Sequence, residues 1–394
     1  MHDAFQNGRI VIDTLEASGY EAYFVGGCVR DYLIGRTIKD VDITTNALPD
    51  TVESLFDKTI DVGKAHGTII VMLNEEQIEV TTYRTETTYS DFRRPDHVNF
   101  TSRLEEDLKR RDFTVNAIAM TRDMRVIDPN DGQSDIAQRL IQTVGEAEAR
   151  FNEDALRMLR ALRFSVQLNF DISSATYEAI KQSAHLIEHV SIERIIIEMK
   201  KMYETGQIFN YKTAIFKSGI LQYVPVLKDF NETLFRQLMT DSLAVELAVH
   251  IYFNHINPHE LGSLRISNDE RLYIKTMVSL MQATETEYRD ARLLAYRYTQ
   301  NLLHDCVTLI DKNRTLFSEV DLAFIKEAQN VRPHLPIYSS SDLAIDGHAI
   351  LQITGHNPGS WMRDVIQALE ERVILGELDN TKECLTAWVK TYEF

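Results

Sequence analysis

One stretch, residues 25–42, constrains the fold of this chain more than any other. It reads VGGCVRDYLIGRTIKDVD, which predicts the end of a strand, a Gly-Gly turn, a short helix and a second strand. Gly26 and Gly27 have no Cβ, so the backbone there can turn sharply and bring its N–H groups close to a phosphate. Arg30 follows one helical turn later, where its side chain would face the same anion.

Two carboxylates close this stretch. Asp40 and Asp42 are separated by one residue, and the second of them opens the β-branched run DITT, which predicts a strand. Side chains two residues apart on a strand point to the same face, so this pair could hold two divalent cations for phosphoryl transfer. Taken singly, the glycine pair is also typical of a plain turn and the Asp-x-Asp of a solvated strand edge. Joined at this spacing, they are far more specific.

The joined pattern, G-G-x-x-R-D-x-L-x-G-x-x-x-x-D-x-D, resembles the signature of the nucleotidyltransferase superfamily of DNA polymerase β. The form is that of class II tRNA nucleotidyltransferases and bacterial poly(A) polymerases. The resemblance implies an α+β head with a small mixed sheet, followed by an all-α neck, body and tail. It also implies Mg²⁺ on Asp40 and Asp42, with Gly27 and Arg30 at the nucleotide triphosphate.

Four domains are expected from the resemblance. We predict a catalytic nucleotidyltransferase head over residues 1–138 and a neck that recognises the nucleotide base over 139–208. A helical body over 209–290 and a helical, tRNA-binding tail over 291–394 would follow. The tail, from SDLAIDGHAILQITGHNPGSW onward, looks like that of Bacillus-type CCA-adding enzymes.

Composition limits the possible partners. The formal net charge is −17 over 394 residues, so contacts with nucleic acid should be confined to local patches. Three scattered cysteines without a C-x-x-C pair suggest neither a disulfide framework nor a zinc site. No signal-peptide pattern and no apolar run of about 18 residues occurs, so we expect a cytoplasmic protein with no membrane partner.

Two further features belong to the predicted head. Glu79 lies in the strand-like run QIEVTTYR and is a candidate third carboxylate, as general base or metal ligand; an outward-facing strand residue is an equal alternative. Residues 85–100, TETTYSDFRRPDHVNF, read as a long functional loop or a disordered excursion. In CCA-adding enzymes a loop at this place is associated with the switch from adding C to adding A. Relatives that add only C lack it.

Two later segments match further family motifs. R-R-D-F-T-x-N-A, within residues 104–120, matches the second motif and implies that Arg111 contacts the triphosphate; Asn116 matches as well. Such charged triplets are also common as solvated surface pairs. The segment DPNDGQSDIAQRLI, residues 128–141, matches the third motif, a hinge between head and neck, although Gln133 stands where the family usually has a second glycine.

A helix is predicted over residues 151–164, FNEDALRMLRALRF, with Asn152 as its cap and acidic residues in its first turn. Its charged positions step by three residues, which makes each the neighbour of the next: Asp154, Arg157, Arg160 and Arg163. Spacing alone favours an Asp–Arg pair and two solvated arginines.

A carboxylate and an arginine together can also imitate a Watson–Crick partner for cytosine or adenine. E-D-x-x-R resembles the amino-acid template of class II tRNA nucleotidyltransferases. The resemblance implies that Asp154 and Arg157 read the base, while Arg160 and Arg163 contact phosphates or ribose. The next motif, VSIERIIIEMKKM, resembles the family's fifth; we expect it to buttress the neck without direct chemistry.

We therefore predict template-independent addition of CCA to the 3′ end of tRNA from CTP and ATP, with release of pyrophosphate and a two-metal mechanism. A bacterial poly(A) polymerase is the closest alternative; the H-G-T of VGKAHGTI, the long loop and the tail argue against it. A non-catalytic RNA-binding protein on the same fold would have lost a carboxylate, and both are present. The resemblance leaves a monomer and a homodimer open.

Overall fold

The computed structural model describes residues 3–86, 98–285 and 290–392. The chain divides into two compact units, one of residues 1–230 with 263–265 and one of residues 231–262 with 266–394. This division falls within the predicted body. The finer division into head, neck, body and tail stays a prediction.

The first part of unit one is an α+β head. Its strands are β1 (Ala22–Val25), β2 (Asp42–Thr45), β3 (Thr59–Gly63), β4 (Thr68–Leu73), β5 (Glu76–Thr82), β6 (Arg84–Glu86), β7 (Val98–Phe100), β8 (Ala119–Met120) and β9 (Val126–Ile127). Its helices are α1 (Gln6–Ala17), α2 (Gly27–Leu33), α3 (Pro49–Leu55), α4 (Leu104–Lys109) and α5 (Gly132–Gln138).

The main sheet has the order β3-β4-β5-β2-β1-β8-β9. Only β2 and β5 pair in parallel, and the other neighbours are antiparallel. The sheet is therefore mixed, as predicted. Its apolar face packs on α1 through buried side chains that recur at helical spacing, among them Val11, Ile12 and Leu15 on the helix and Ile43 on β2.

The parallel pairing has one consequence for the site. It places Asp42, the first residue of β2, directly opposite Glu79 on β5. Asp40 lies before β2 in chain without regular secondary structure, so the prediction that both aspartates lie on one strand is wrong. Backbone pairing of this segment begins at Asp42, and the three residues before it take no part in the sheet.

The predicted loop over residues 85–100 falls mostly on residues 87–97, which lie outside the described residues. Its two ends are described, and they pair with each other as the antiparallel ribbon β6–β7.

The rest of unit one is helical, with one small parallel pair. Its elements are β10 (Leu140–Ile141), α6 (Ala147–Glu153), α7 (Leu156–Leu168), β11 (Asp171–Ile172), α8 (Ser174–Ser183), α9 (Ile192–Tyr203) and α10 (Lys212–Lys217). A single helix over residues 151–164 is therefore wrong. Asp154 is extended, with φ −140° and ψ 103°, and separates α6 from α7.

The expected cap is wrong too. Asn152 lies near the end of α6, where its side chain donates to the Glu148 carbonyl at 2.9 Å. Asp154 caps the following helix instead, because its Oδ1 accepts from the Leu156 N–H at 3.1 Å.

All regular secondary structure in the described residues of unit two is helical. Its α-helices are α11 (Glu232–Gln237), α12 (Leu243–Phe253), α13 (Asn268–Glu285), α14 (Ala291–Arg297), α15 (Gln300–Lys312), α16 (Glu319–Val331), α17 (Gly347–Thr354), α18 (Trp361–Ile374) and α19 (Lys382–Val389). Among the described helices of either unit, none has the length and apolar character needed to cross a membrane.

Candidate active site

A cleft of about 660 Å³ in unit one brings the predicted catalytic residues together. Seven basic side chains and five acidic ones line it: Arg30, Arg36, Lys39, Arg111, Arg160, Arg163 and Lys201, against Asp31, Asp40, Asp42, Glu79 and Asp112. The cleft thus carries more positive than negative groups in a chain whose net charge is −17. This local excess suits a polyanionic ligand.

Asp42, Glu79 and Asp40 form the acidic corner of this cleft. Burial raises the pKa of Asp42 to about 6, and the nearby charges of Glu79 and Asp40 add to that rise while Arg111 and Arg30 oppose it. A carboxylate whose pKa is raised by neighbouring carboxylates favours a bound cation. Glu79 is exposed on β5 opposite Asp42 and lines the cleft.

This acidic corner fits a hard divalent cation. In the described parts of the chain, no group of three or more His, Cys, Asp or Glu side chains has the arrangement of a metal site built by protein alone. Mg²⁺ commonly takes one or two carboxylates and completes its coordination with water and substrate phosphates. Asp40 and Asp42 therefore fit a metal that also contacts the ligand's phosphates.

Gly26 and Arg111 form the wall beside Asp42. Gly26 has φ +76°, which favours glycine, and a Cβ there would lie 3.2 Å from Arg111 Nη1 and 3.9 Å from Asp42 Oδ2. The absent side chain leaves the backbone open between the arginine and the carboxylate. The Arg111 Nε–H is buried and has no hydrogen-bond partner among the described residues. Because that nitrogen is buried, the Arg111 group that lies beside Gly26 is Nη1.

Arg30 is held more tightly than the sequence predicted. Its Nη1 donates to Asn116 Oδ1 at 2.5 Å, and its Nη2 lies 2.9 Å from Asp31. The guanidinium also lies over the Phe164 ring, 5.2 Å from the centroid. Arg30 lines the cleft as a fixed, buried cation.

Asp112 joins the head to the neck arginines. Its Oδ2 accepts from Arg160 Nε at 2.8 Å, and its Oδ1 accepts from Asn116 Nδ2 at 3.2 Å. Because Asn116 also accepts from Arg30, a continuous chain of hydrogen bonds runs from α2 to α7. The predicted triphosphate and neck residues are thereby parts of one network.

Phe164 lines the cleft, and the sequence predicts no role for it. Arg163 lies 3.9 Å and Arg160 5.3 Å from its ring centroid, in addition to Arg30. Arg163 Nε also donates to buried Glu198 at 2.5 Å. Arg160 and Arg163, for which phosphate or ribose contacts stay a prediction, both line the cleft, and each already has a carboxylate partner.

Asp154 and Arg157 do not line this cleft. Asp154 Oδ2 accepts from Arg194 Nη2 at 2.9 Å. Arg157 pairs with Glu153, and its Nη2 donates to the Arg110 carbonyl at 3.2 Å. The expected Asp154–Arg157 pair is therefore replaced by two other pairs.

Arg194 makes a contact with Asp154 that the sequence did not predict. It lies in the first turn of α9, and its contact with Asp154 spans 40 residues of sequence. An arginine on a helix carries no local signal for such a distant partner. Lys201, further along α9, lines the cleft and was likewise not predicted.

The predicted hinge segment packs closely. Gly132 opens α5, and a Cβ there would lie 2.3 Å from the Thr114 carbonyl oxygen and 2.8 Å from Ile118. Asp128 accepts from the Gly132 and Gln133 N–H groups at 2.9 and 2.8 Å. Gln133, which takes the place of the family's second glycine, is an exposed helical residue.

The α+β head, the cleft and the helical remainder define a nucleotidyltransferase. The family described as "Poly A polymerase head domain" matches residues 22–142. "Probable RNA and SrmB- binding site of polymerase A" matches residues 169–231, and "tRNA nucleotidyltransferase domain 2 putative" matches residues 241–389.

Whole-chain relatives are more specific. A CCA-adding enzyme of Staphylococcus haemolyticus is 38% identical over 98% of each chain, and one of a Geobacillus species is 37% identical over 99% of this chain and 97% of its own. The crystal structure of the Bacillus stearothermophilus CCA-adding enzyme in complex with CTP is similar at a TM-score of 0.84 and 33% identity. It covers 99% of this chain and 97% of its own. The chain belongs to the family of CCA-adding enzymes, which are generally metal-dependent nucleotidyltransferases.

Proposed function

We propose that this protein adds CMP, CMP and then AMP to the 3′ end of tRNA, using CTP and ATP and releasing pyrophosphate. The main support for the proposal is that one cleft is lined by Asp42, Glu79, Arg111 and the neck arginines. Relatives named for CCA addition match the whole chain, which supports the same reaction here. Because its tRNA substrate is cytoplasmic, we expect the protein there too.

The acidic corner is proposed to hold Mg²⁺ through Asp40 and Asp42. When bound, the metal would lower the pKa of the primer 3′-hydroxyl and neutralise charge that develops on the triphosphate. Glu79, opposite Asp42, would add a third carboxylate as a further ligand or as general base. Asp42 is ionised in most molecules above pH 6, so its donor oxygens are available at neutral pH.

The triphosphate would lie along Gly26, Gly27 and Arg111. The open backbone at Gly26 admits phosphate oxygens between the guanidinium and the carboxylate. Arg111 would donate from Nη1, the nitrogen that lies beside Gly26. Arg30 and Arg160, fixed by Asn116 and Asp112, would supply positive charge without reorganising. This arrangement orients the α-phosphate towards the attacking hydroxyl and stabilises the departing pyrophosphate.

Base selection is proposed for Asp154 and Arg157. Asp154 would accept from the exocyclic amine of cytosine or adenine, while Arg157 would donate to ring acceptors. In the free protein Asp154 pairs with Arg194, and Arg157 pairs with Glu153. An incoming base must therefore replace or share at least one of these partners, so binding should reorganise the junction between α6 and α7.

A primer-extension assay tests the proposal directly. The full chain is given tRNA lacking its CCA end, Mg²⁺, and CTP and ATP separately or together, with products sized at single-nucleotide resolution. We expect two additions with CTP alone and three with both nucleotides. A long A tail would assign the protein to poly(A) polymerases, and two additions without a terminal A would make it a CC-only enzyme. No addition at all would favour a binding protein.

A further inference from the structure

Asp107 is a fully buried carboxylate on α4 that lines neither the cleft nor the surface. Its Oδ1 accepts from Arg110 Nε at 2.9 Å and Nη2 at 2.7 Å. Its Oδ2 lies 3.4 Å from Arg111 Nη2 and 3.2 Å from the Thr44 hydroxyl. One carboxylate therefore contacts two arginines and the strand that begins with Asp42.

The strand contact matters because of its register. Thr44 lies two residues after Asp42 on β2, so both side chains project from the same face of the sheet. Asp107 thus contacts the face that carries the proposed metal ligand. Through Arg111 it also contacts the wall beside Gly26, where the guanidinium lies near Asp42.

The two arginines contact Asp107 in different ways. Arg110 makes the short, two-donor contact with Asp107 and carries most of the pairing. Arg111 makes only one long contact, and its Nε has no partner among the described residues. Burial works to raise the pKa of Asp107, but the charges of Arg111 and Arg110 outweigh it and lower the pKa. The carboxylate therefore stays ionised as an anchor.

We propose that Asp107 is a positioning residue, which fixes the Arg111 guanidinium relative to Asp42 so that both can contact one nucleotide triphosphate. It acts through Arg111 and Thr44 and does not touch the nucleotide. This inference rests on the proposed nucleotide site. Asp107 would thus contribute to nucleotide affinity as well as to the stability of the fold.

The test is a double-mutant cycle on nucleotide binding by the full chain with Mg²⁺ and without tRNA. Equilibrium Kd values for CTP and ATP are measured for Asp107→Asn, Arg111→Ala and the double variant. A lost hydrogen bond to a charged group should raise Kd about tenfold in Asp107→Asn. The double variant should bind no worse than Arg111→Ala, because Asp107 acts through Arg111. Unchanged Kd in Asp107→Asn, or multiplying effects, would overturn the inference.

Asp135→Asn is the matched control. Asp135 is another buried carboxylate of unit one, accepts from the Thr114 hydroxyl at 2.5 Å and lies outside the cleft. We expect it to lower the melting temperature while leaving the CTP Kd unchanged. If Asp135→Asn raised the Kd as much as Asp107→Asn, the effect would be general destabilisation.

Thr44→Val keeps the inference testable if Asp107→Asn fails to fold. It removes the hydroxyl that lies 3.2 Å from both Asp107 Oδ2 and the Thr81 carbonyl oxygen, and it leaves both arginine pairs in place. We expect a rise of about threefold in Kd that disappears in the Arg111→Ala background; an equal rise in that background would contradict the inference. Because binding is read without tRNA, a chain that binds CTP but adds nothing to tRNA would refute the proposed function and leave this inference standing.

Discussion

Arg160 and Asp112 join α7 to the segment that follows α4, with Arg160 Nε and Nη2 lying 2.8 and 2.6 Å from Asp112 Oδ2. Burial works to raise the pKa of Asp112, but the charge and hydrogen bonds of Arg160 and the hydrogen bond from Asn116 outweigh it and lower the pKa to about 2. The pair is therefore both part of the cleft wall and a source of stability.

Asp112→Asn should destabilise the protein in a pH-dependent way. The folded pKa lies below the ordinary aspartate value of about 4, so ionised Asp112 stabilises the fold above that pH, and this contribution is lost as pH falls towards 2. We expect a loss of roughly 2 kcal/mol in the free energy of unfolding at pH 7, measured with urea. The difference from the parent should shrink between pH 5 and pH 3. A constant difference would contradict the assignment.

Asp42→Asn should abolish nucleotide addition while preserving tRNA binding. Loss of a metal-holding carboxylate removes several kcal/mol of transition-state stabilisation, so we expect a rate decrease of about a thousandfold or more. Primer extension and tRNA gel shift measure the two effects. Asp61→Asn is the control, because Asp61 is exposed on β3 outside the cleft. Turnover retained by Asp42→Asn in Mg²⁺ would refute the metal assignment.

The same variant should stabilise the metal-free protein. A carboxyl whose folded pKa is raised to about 6 costs stability above its unfolded pKa, because the charged form is disfavoured by burial and by Glu79. We expect Asn at this position to raise the free energy of unfolding by about 1 kcal/mol at pH 8 with EDTA present, since partial exposure reduces the full effect. The gain should vanish near pH 4. If there were no gain at pH 8, burial and the neighbouring carboxylates would not disfavour the ionised form of Asp42.

Local patterns in the sequence predicted the parts of the site that depend on neighbours in the chain. The positive φ of Gly26 and the cleft positions of Asp42 and Arg111 follow from motifs of a few residues. The Asp-x-Asp spacing predicts a strand that includes Asp40, but backbone pairing begins two residues later, at Asp42.

The distant pairs could not be predicted. Asp112 and Arg160 are 48 residues apart in the sequence, and Asp154 and Arg194 are 40 residues apart. Neither contact therefore has a local sequence signature. The break at Asp154 did carry a signal, because aspartate favours helix N-caps. Asn152 offered the same signal two residues earlier, and tertiary packing decided between the two.

Arg157→Ala should reduce selectivity among the four nucleoside triphosphates more than it weakens tRNA binding. The variant removes the donors proposed for the base, together with a pair to Glu153. Arg150→Ala is the matched control, since Arg150 also pairs with Glu153 but is not proposed to read the base. We expect misincorporation of UMP or GMP to rise about tenfold or more in Arg157→Ala only. Equal selectivity in the two variants would place base reading elsewhere.

Gly132→Ala should destabilise unit one strongly. The new methyl group would lie 2.3 Å from the Thr114 carbonyl oxygen, a backbone atom that cannot move without displacing its neighbours. Overpacking of this kind costs about 1 to 3 kcal/mol, which a urea titration would detect as a lower midpoint. Gly63→Ala is the control, because a Cβ there meets only Thr68 at an ordinary 4.0 Å. If Gly132→Ala left stability unchanged but slowed addition, the segment would act as a mobile hinge, and its close packing would not limit the protein's stability.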